Sequence, residues 1–201
     1  MALMMDFEAR KGRFGGYFAP IFVWLRDDDN FVQGPFGTQH QIIVHESVYL
    51  IDFGLSYEVG QWSLWNRPDW VVSSPAVAVE PFFGARSLVD DITITLDPGG
   101  SIRPEISFIT PVIGLRTFWD LTDRFNLRIE GDYGGFGGVD GVKRTWNAVA
   151  LVGYRFKPKE NLHINVFAGY RYLDIHYKEV AEIEVAIKGA FLGLALEFGH
   201  K

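Results

Sequence analysis

The chain has 201 residues, 19 basic against 25 acidic side chains, a formal net charge of −6 and no cysteine. The missing thiols exclude a disulfide framework, a thiolate zinc site and a cysteine nucleophile. The acidic balance, with lysines and arginines scattered along the chain, argues against a phosphate-binding surface and so against nucleic acid as a partner. One domain, 1–201, accounts for this length, and 22 glycines, 17 phenylalanines, 8 tyrosines and 6 tryptophans favour strands that carry aromatics.

The dominant period is two, as expected of strands whose faces meet different surroundings. Residues 2–10 come first and set Asp6, Glu8 and Arg10 opposite Met5, Phe7 and Ala9. The polar turn "KGR" leads into a strand over 13–26, and "RDDDNFVQGPFGTQHQ" reads as the longest loop. A strand over 41–59 separates Asp52, Gly54, Ser56 and Glu58 from Ile51, Phe53, Leu55, Tyr57 and Val59. Segment 60–75 is long and carries Trp62, Trp65 and Trp70, which suit either a membrane–water interface or a loop capping a barrel mouth.

A strand over 76–95 places Glu80, Gly84 and Arg86 against Val79, Pro81, Phe83 and Ala85. After "LDPGGSIRP" come strands over 104–120 and 124–135, joined by "LTDRF"; the second alternates Asn126, Arg128, Glu130 and Asp132 with Phe125, Leu127, Ile129 and Tyr133. The loop "GGFGGVDGVKR", a strand over 143–156, the turn "KPKEN", a strand over 161–178, "KEVAEIE" and a strand over 184–198 complete nine. Short turns thus alternate with longer loops. The fold class predicted is all-β: an up-and-down antiparallel transmembrane β-barrel of about nine strands.

Gly-x-Arg occurs on four strands, as "FGAR" (83–86), "IGLR" (113–116), "VGYR" (152–155) and "AGYR" (168–171). Residues two apart share a face, so each arginine is expected to lean over the gap its glycine leaves. Buried charges must be paired, and arginine bridges several carboxylates at once. The lumen is therefore expected to hold a structural ionic plug of Asp6, Glu8, Asp52, Glu58, Glu80, Arg86, Arg116, Arg128, Glu130, Asp132, Arg155, Arg171 and Glu197. The other face, such as Trp146, Ala148, Ala150, Val152, Tyr154 and Phe156, puts small aliphatics between aromatics, the pattern of a lipid-facing band with interfacial girdles.

"LTDRFNLRIEGDYGGFGG", "TWNAVALVGYRF", "VFAGYRYLDIHY", "GAFLGLALEF" and "FEARKGRFGGYF" together resemble the small outer-membrane β-barrel proteins of Gram-negative bacteria, the OmpA-like or opacity-type group. The resemblance implies a bacterial outer-membrane location, membrane lipid as the surrounding partner, and recognition by the outer-membrane assembly machinery through a last strand ending at Phe198. It also implies short turns in the periplasm and long loops outside. Barrels of this type have an even strand number, so the expectation is ten strands with a first strand and a leader preceding this chain, or eight if one strand is wrongly divided.

No catalytic group, metal site or cofactor emerges, and the chain is expected not to be an enzyme. His45, Glu46 and Ser47 alternate between faces. Asp174 and His176 share a face near the outer end, where a loop-anchoring bond is the simpler role. His40, His163 and His200 have no ligand spacing. The runs Asp27–Asp29 and Asp90–Asp91 read as solvated loop charge. The leading function is a structural or binding barrel with a plugged lumen and any recognition in its loops. The alternatives are a narrow ion or small-solute channel, a soluble lipocalin-like carrier, and an outer-leaflet lipid-modifying enzyme.

Overall fold

The computed structural model describes residues 2–33, 39–63, 75–97, 100–136, 139–159, 162–178 and 182–198. In chain order the strands are β1 (Ala2–Met4), β2 (Phe7–Lys11), β3 (Phe14–Gln33), β4 (Gln39–Tyr57), β5 (Gly60–Ser63) and β6 (Ala76–Asp97), then β7 (Ser101–Ile102), β8 (Glu105–Asp120) and β9 (Phe125–Gly134), and finally β10 (Val142–Lys159), β11 (Leu162–Lys178) and β12 (Glu182–Phe198). They form one antiparallel sheet in the order β1-β3-β4-β6-β8-β9-β10-β11-β12, with β2 beside β3 and the short β5 and β7 beside β6. The sheet curls until it nearly closes into a barrel. Its main path follows the nine expected strands.

The turns at one end are built by local chemistry. Between β2 and β3 only Gly12 and Arg13 intervene, and Gly12 takes φ 63°, a left-handed conformation that glycine enters without a side-chain clash. Between β8 and β9 the Thr122 hydroxyl accepts from the backbone N–H groups of Arg124 (3.2 Å) and Phe125 (2.9 Å). This is the turn end; the opposite rim is the loop end.

Two boundaries depart from the sequence reading. The first strand, expected unbroken over 2–10, is interrupted at Met5 and Asp6. Met5 N–H still donates to the Pro20 carbonyl at 3.0 Å, but proline has no N–H to return, so the ladder lapses there. The stretch 26–41, expected to be a loop, is mostly strand: β3 runs on to Gln33 and β4 begins at Gln39, with a register shift between Asp27 and Asn30. A run of aspartates signals solvent exposure, which a strand projecting past its neighbours also provides. The side chains of Asp27–Asp29 lie outside the described residues, as do Trp65 and Trp70; Trp62 sits on β5, half exposed.

Large apolar residues cover much of the outer surface of the described strands. Phe14 is 68% exposed, Phe83 62% and Leu192 83%, and Leu55, Ile113, Val152 and Phe156 lie on the same outer surface. Outward aromatics gather in two belts through cross-strand contacts, three of them between direct ladder partners and the Trp146–Tyr172 contact on a diagonal. Phe14–Tyr57 (5.0 Å between ring centroids) and Phe125–Tyr154 (5.1 Å) lie toward the turn end, and Phe22–Tyr49 (5.9 Å) and Trp146–Tyr172 (4.7 Å) toward the loop end. On β3, β4, β9 and β10 the belts are eight residues apart, from Phe14 to Phe22, Tyr49 to Tyr57, Phe125 to Tyr133 and Trp146 to Tyr154. Eight residues span about 26 Å along a strand.

The interior glycines do not serve the arginines that follow them. The space beside Gly84 is taken by the Tyr17 hydroxyl, that beside Gly114 by the Phe82 ring, that beside Gly153 by the Asn126 and Asn165 amides, and that beside Gly169 by Leu151 and Phe191. A side chain directly across the ladder stands about 5 Å away, whereas a residue two along its own strand is nearer 6.6 Å away. At Gly114, Gly153 and Gly169 the cross-strand neighbour therefore reaches the gap first, whereas Tyr17, the ladder partner of Gly54, extends past that glycine to Gly84. At Gly54 and Gly84, which face each other in the ladder, the two backbones also approach so closely that a Cβ on either would strike the other strand.

Gly84→Val should accordingly destabilise the protein by about 1–3 kcal/mol through overpacking. Tyr17→Phe, which keeps the ring but removes a buried hydroxyl lacking a hydrogen-bond partner, should leave stability unchanged or raise it. Urea unfolding followed by tryptophan fluorescence reads both.

Candidate functional site

The interior is divided into two layers along the barrel axis. Toward the loop end the inward row Ile21, Leu50, Leu88 and Phe108 runs strand to strand through direct ladder pairs. Val142, Leu173, Ile175 and Tyr177 meet it from the opposite wall, and the Phe108 and Tyr177 rings stack at 5.9 Å across the interior. These side chains are buried in a continuous apolar cluster. The interior is thus not filled by charge alone, as the sequence reading had it: Leu50 and Leu88 stand on the same faces as Asp52 and Arg86, one step nearer the loop end.

Below this layer lies an ionic one, in two linked groups. In the upper, Arg86 is fully buried and spends its planar fork on three strands: Nε and Nη2 donate to the Asp52 carboxylate at 2.7 and 3.0 Å, Nη2 also to Asp132 at 3.1 Å, and Nη1 to the Thr145 hydroxyl at 2.9 Å. Asn147 relays the group onward, donating to Asp132 at 2.8 Å and accepting from Arg171 Nε at 2.8 Å. Arg171 also approaches Asp52, at 3.7 Å. Two guanidiniums face two carboxylates, and the group is electrically balanced.

The lower group binds the edge strand β2, with Asp6 just before it, to the far wall. Arg116 donates to Glu130 and to Glu8, both at 2.7 Å, and Arg128 to Asp6 and to Glu130, both at 2.8 Å. Arg10 hydrogen-bonds to Glu80, lies 3.4 Å from Glu8 and comes within 3.8 Å of Glu58. Ring faces line these cations: Arg116 stands 4.7 Å from the Tyr17 centroid and 4.9 Å from that of Phe82, while Arg10 and Arg128 approach Phe118 at 5.3 and 5.4 Å. Five carboxylates, Asp6, Glu8, Glu58, Glu80 and Glu130, here meet three guanidiniums, so this group carries a surplus of two negative charges.

Twelve of the thirteen residues expected in the lumen have described side chains; Glu197 lies outside them, although its backbone pairs with His163. The structure brings eleven together in the two groups. Arg155 lies at the turn end, 3.3 Å from Asp120. The sequence reading left out Arg10 although it shares a face with Asp6 and Glu8, and it passed over Thr145 and Asn147, which carry no charge to draw notice.

Asp174 and His176 share the outward face, opposite Trp146 and Arg144 in the ladder, and Arg144 lies 3.9 Å from Asp174. His45 and Ser47 point outward and Glu46 inward, and Asp90 is buried inside while Asp91 is exposed outside, so neither set converges. No three metal-ligating side chains stand in coordinating geometry among the described residues. No protein family, characterised protein or solved structure matches the chain.

Arg86→Met should cost about 3–5 kcal/mol, because Asp52 and Asp132 are left buried and uncompensated. Adding Asp132→Asn, which leaves Arg171 facing Asp52, should recover most of that loss, a result that equilibrium unfolding of the single and double variants measures directly.

Proposed function

We propose that the chain is a membrane-spanning β-barrel of the bacterial outer membrane, with a structural or binding role and a lumen closed to ions. The observation that carries this reading is the departure from a soluble protein's pattern: apolar side chains cover the outside between two aromatic belts, and buried arginines and carboxylates occupy the interior beneath one apolar layer. A soluble lipocalin-like carrier needs the reverse, an apolar interior under a polar surface. With strands tilted by about 40°, belts eight residues apart enclose roughly 20 Å along the membrane normal, close to the apolar band of about 25 Å in such barrels.

The closed lumen rests on the two layers in series. Water and ions entering among the charges at the turn end meet Leu50, Leu88, Phe108 and Tyr177 before they reach the loop end, and an apolar constriction excludes ions by dewetting. The resemblance of the sequence motifs to the OmpA-like group supports this reading, under which the turn end would face the periplasm. Membrane lipid is then the surrounding partner, the assembly machinery acts on the last strand, and any specific recognition falls to the loops.

Refolded protein should float with phospholipid vesicles through a density gradient and resist extraction by urea; a protein that stays monodisperse in detergent-free buffer would sink the proposal. In planar bilayers the wild type should show no steady conductance. Leu50→Ser combined with Leu88→Ser should open a measurable one if the apolar layer is the seal.

A further inference from the structure

We infer that Glu8, Glu58 and Glu80 form a site for a divalent cation of the calcium type, in which the Arg10 guanidinium is a tethered and displaceable occupant. The first observation is the charge surplus: the lower ionic group holds five carboxylates against three guanidiniums, and a dication taking the place of Arg10 lowers the surplus from two negative charges to one. The second is Glu80, which is fully buried and has one carboxylate oxygen bonded by Arg10 and the other, Oε2, without any hydrogen-bond partner. A buried carboxylate oxygen needs a donor or a cation. The donor set is made of carboxylates alone, the chemistry that hard oxygen-seeking cations select.

Arg10 accounts for the present spacing of the three. Its Nη1 bonds Glu80 and lies 3.8 Å from Glu58, and its Nη2 lies 3.4 Å from Glu8, so the guanidinium stands where the carboxylates converge. It is also the most easily withdrawn of the interior arginines. Its side chain is 37% exposed against 1–2% for Arg86 and Arg116, and it projects from β2, a five-residue strand paired to β3 alone among the described ladders and exposed throughout. Glu58 lies at the turn end, where its backbone N–H donates to the Arg13 carbonyl at 2.8 Å, so the site opens toward water. Cation and arginine compete for the same oxygens, and a bound cation frees the Arg10 contact that ties β2 to the wall of β6.

Calorimetric titration of the refolded protein with calcium chloride, at fixed ionic strength and in non-ionic detergent, tests the inference independently of any vesicle measurement. One calcium should bind per chain. Arg10→Ala should bind it at least tenfold more tightly, or bind it where the wild type shows no heat, and Glu80→Gln should weaken binding at least tenfold. Equal affinities in wild type and Arg10→Ala, absence of saturable binding in both, or a folded Glu80→Gln variant that binds as the wild type does, each overturns the site. Should Glu80→Gln fail to fold, the gain on removing Arg10 decides alone.

Discussion

The structure depends on one constraint: a guanidinium withdrawn from water must find its carboxylates on other strands. An arginine bonded to a carboxylate beside it in the ladder leaves the sheet free to lie flat. Arg86 does bond Asp52, its ladder partner on β4, but it also reaches Asp132 on β9 and Thr145 on β10, and Arg116 and Arg128 reach Glu8 and Asp6, close to one free edge of the sheet. The bonds that pass beyond a neighbouring strand cross the interior, and those hold only while the sheet stays curled. Backbone ladders give the strands their order; the ionic bonds give the sheet its closure.

Buried ion pairs are weak evidence of stability when set against apolar packing, because desolvation offsets most of their attraction. Their value here is specific. A one-residue slip of any strand exchanges its faces, which would put Arg86 among the outward phenylalanines and Phe83 against Asp52. The charges thus fix register far more strictly than an apolar interior could. The apolar layer above them complements this: Ile21, Leu50, Leu88 and Phe108 continue the same inward faces with residues that need no partner, and so close the loop end without demanding further charge.

Alternation along the strands made the nine-strand path and the membership of the charged interior legible, since period two declares which residues share a face. Three things escaped it. The apolar layer did so because Leu50 lies between Tyr49 and Ile51 in an unbroken apolar run, where period two is silent, and only continuing the parity of Asp52 assigns it inward. The extension of β3 did so because Asp27–Asp29 describe solvent exposure and say nothing of backbone pairing. The occupants of the glycine gaps did so because Tyr17 and Phe82 come from other strands, and contacts across a ladder depend on register, which no single strand encodes.

That last point changes the meaning of the repeated Gly-x-Arg pattern. Glycine and arginine share a face without sharing a contact; they are neighbouring solutions to one problem, the filling of a narrow interior. Where the ladder brings an aromatic across from it, as Tyr17 meets Gly54 and Gly84, the wall must give way and the residue is glycine. Two residues further along, the same strand faces carboxylates on several walls, and only a long planar cation serves them together. Tyr17 joins the two solutions, because its ring also forms one of the faces against which Arg116 is held. The glycines therefore act on the ionic network indirectly, by letting the aromatic rings lie flat enough to line it.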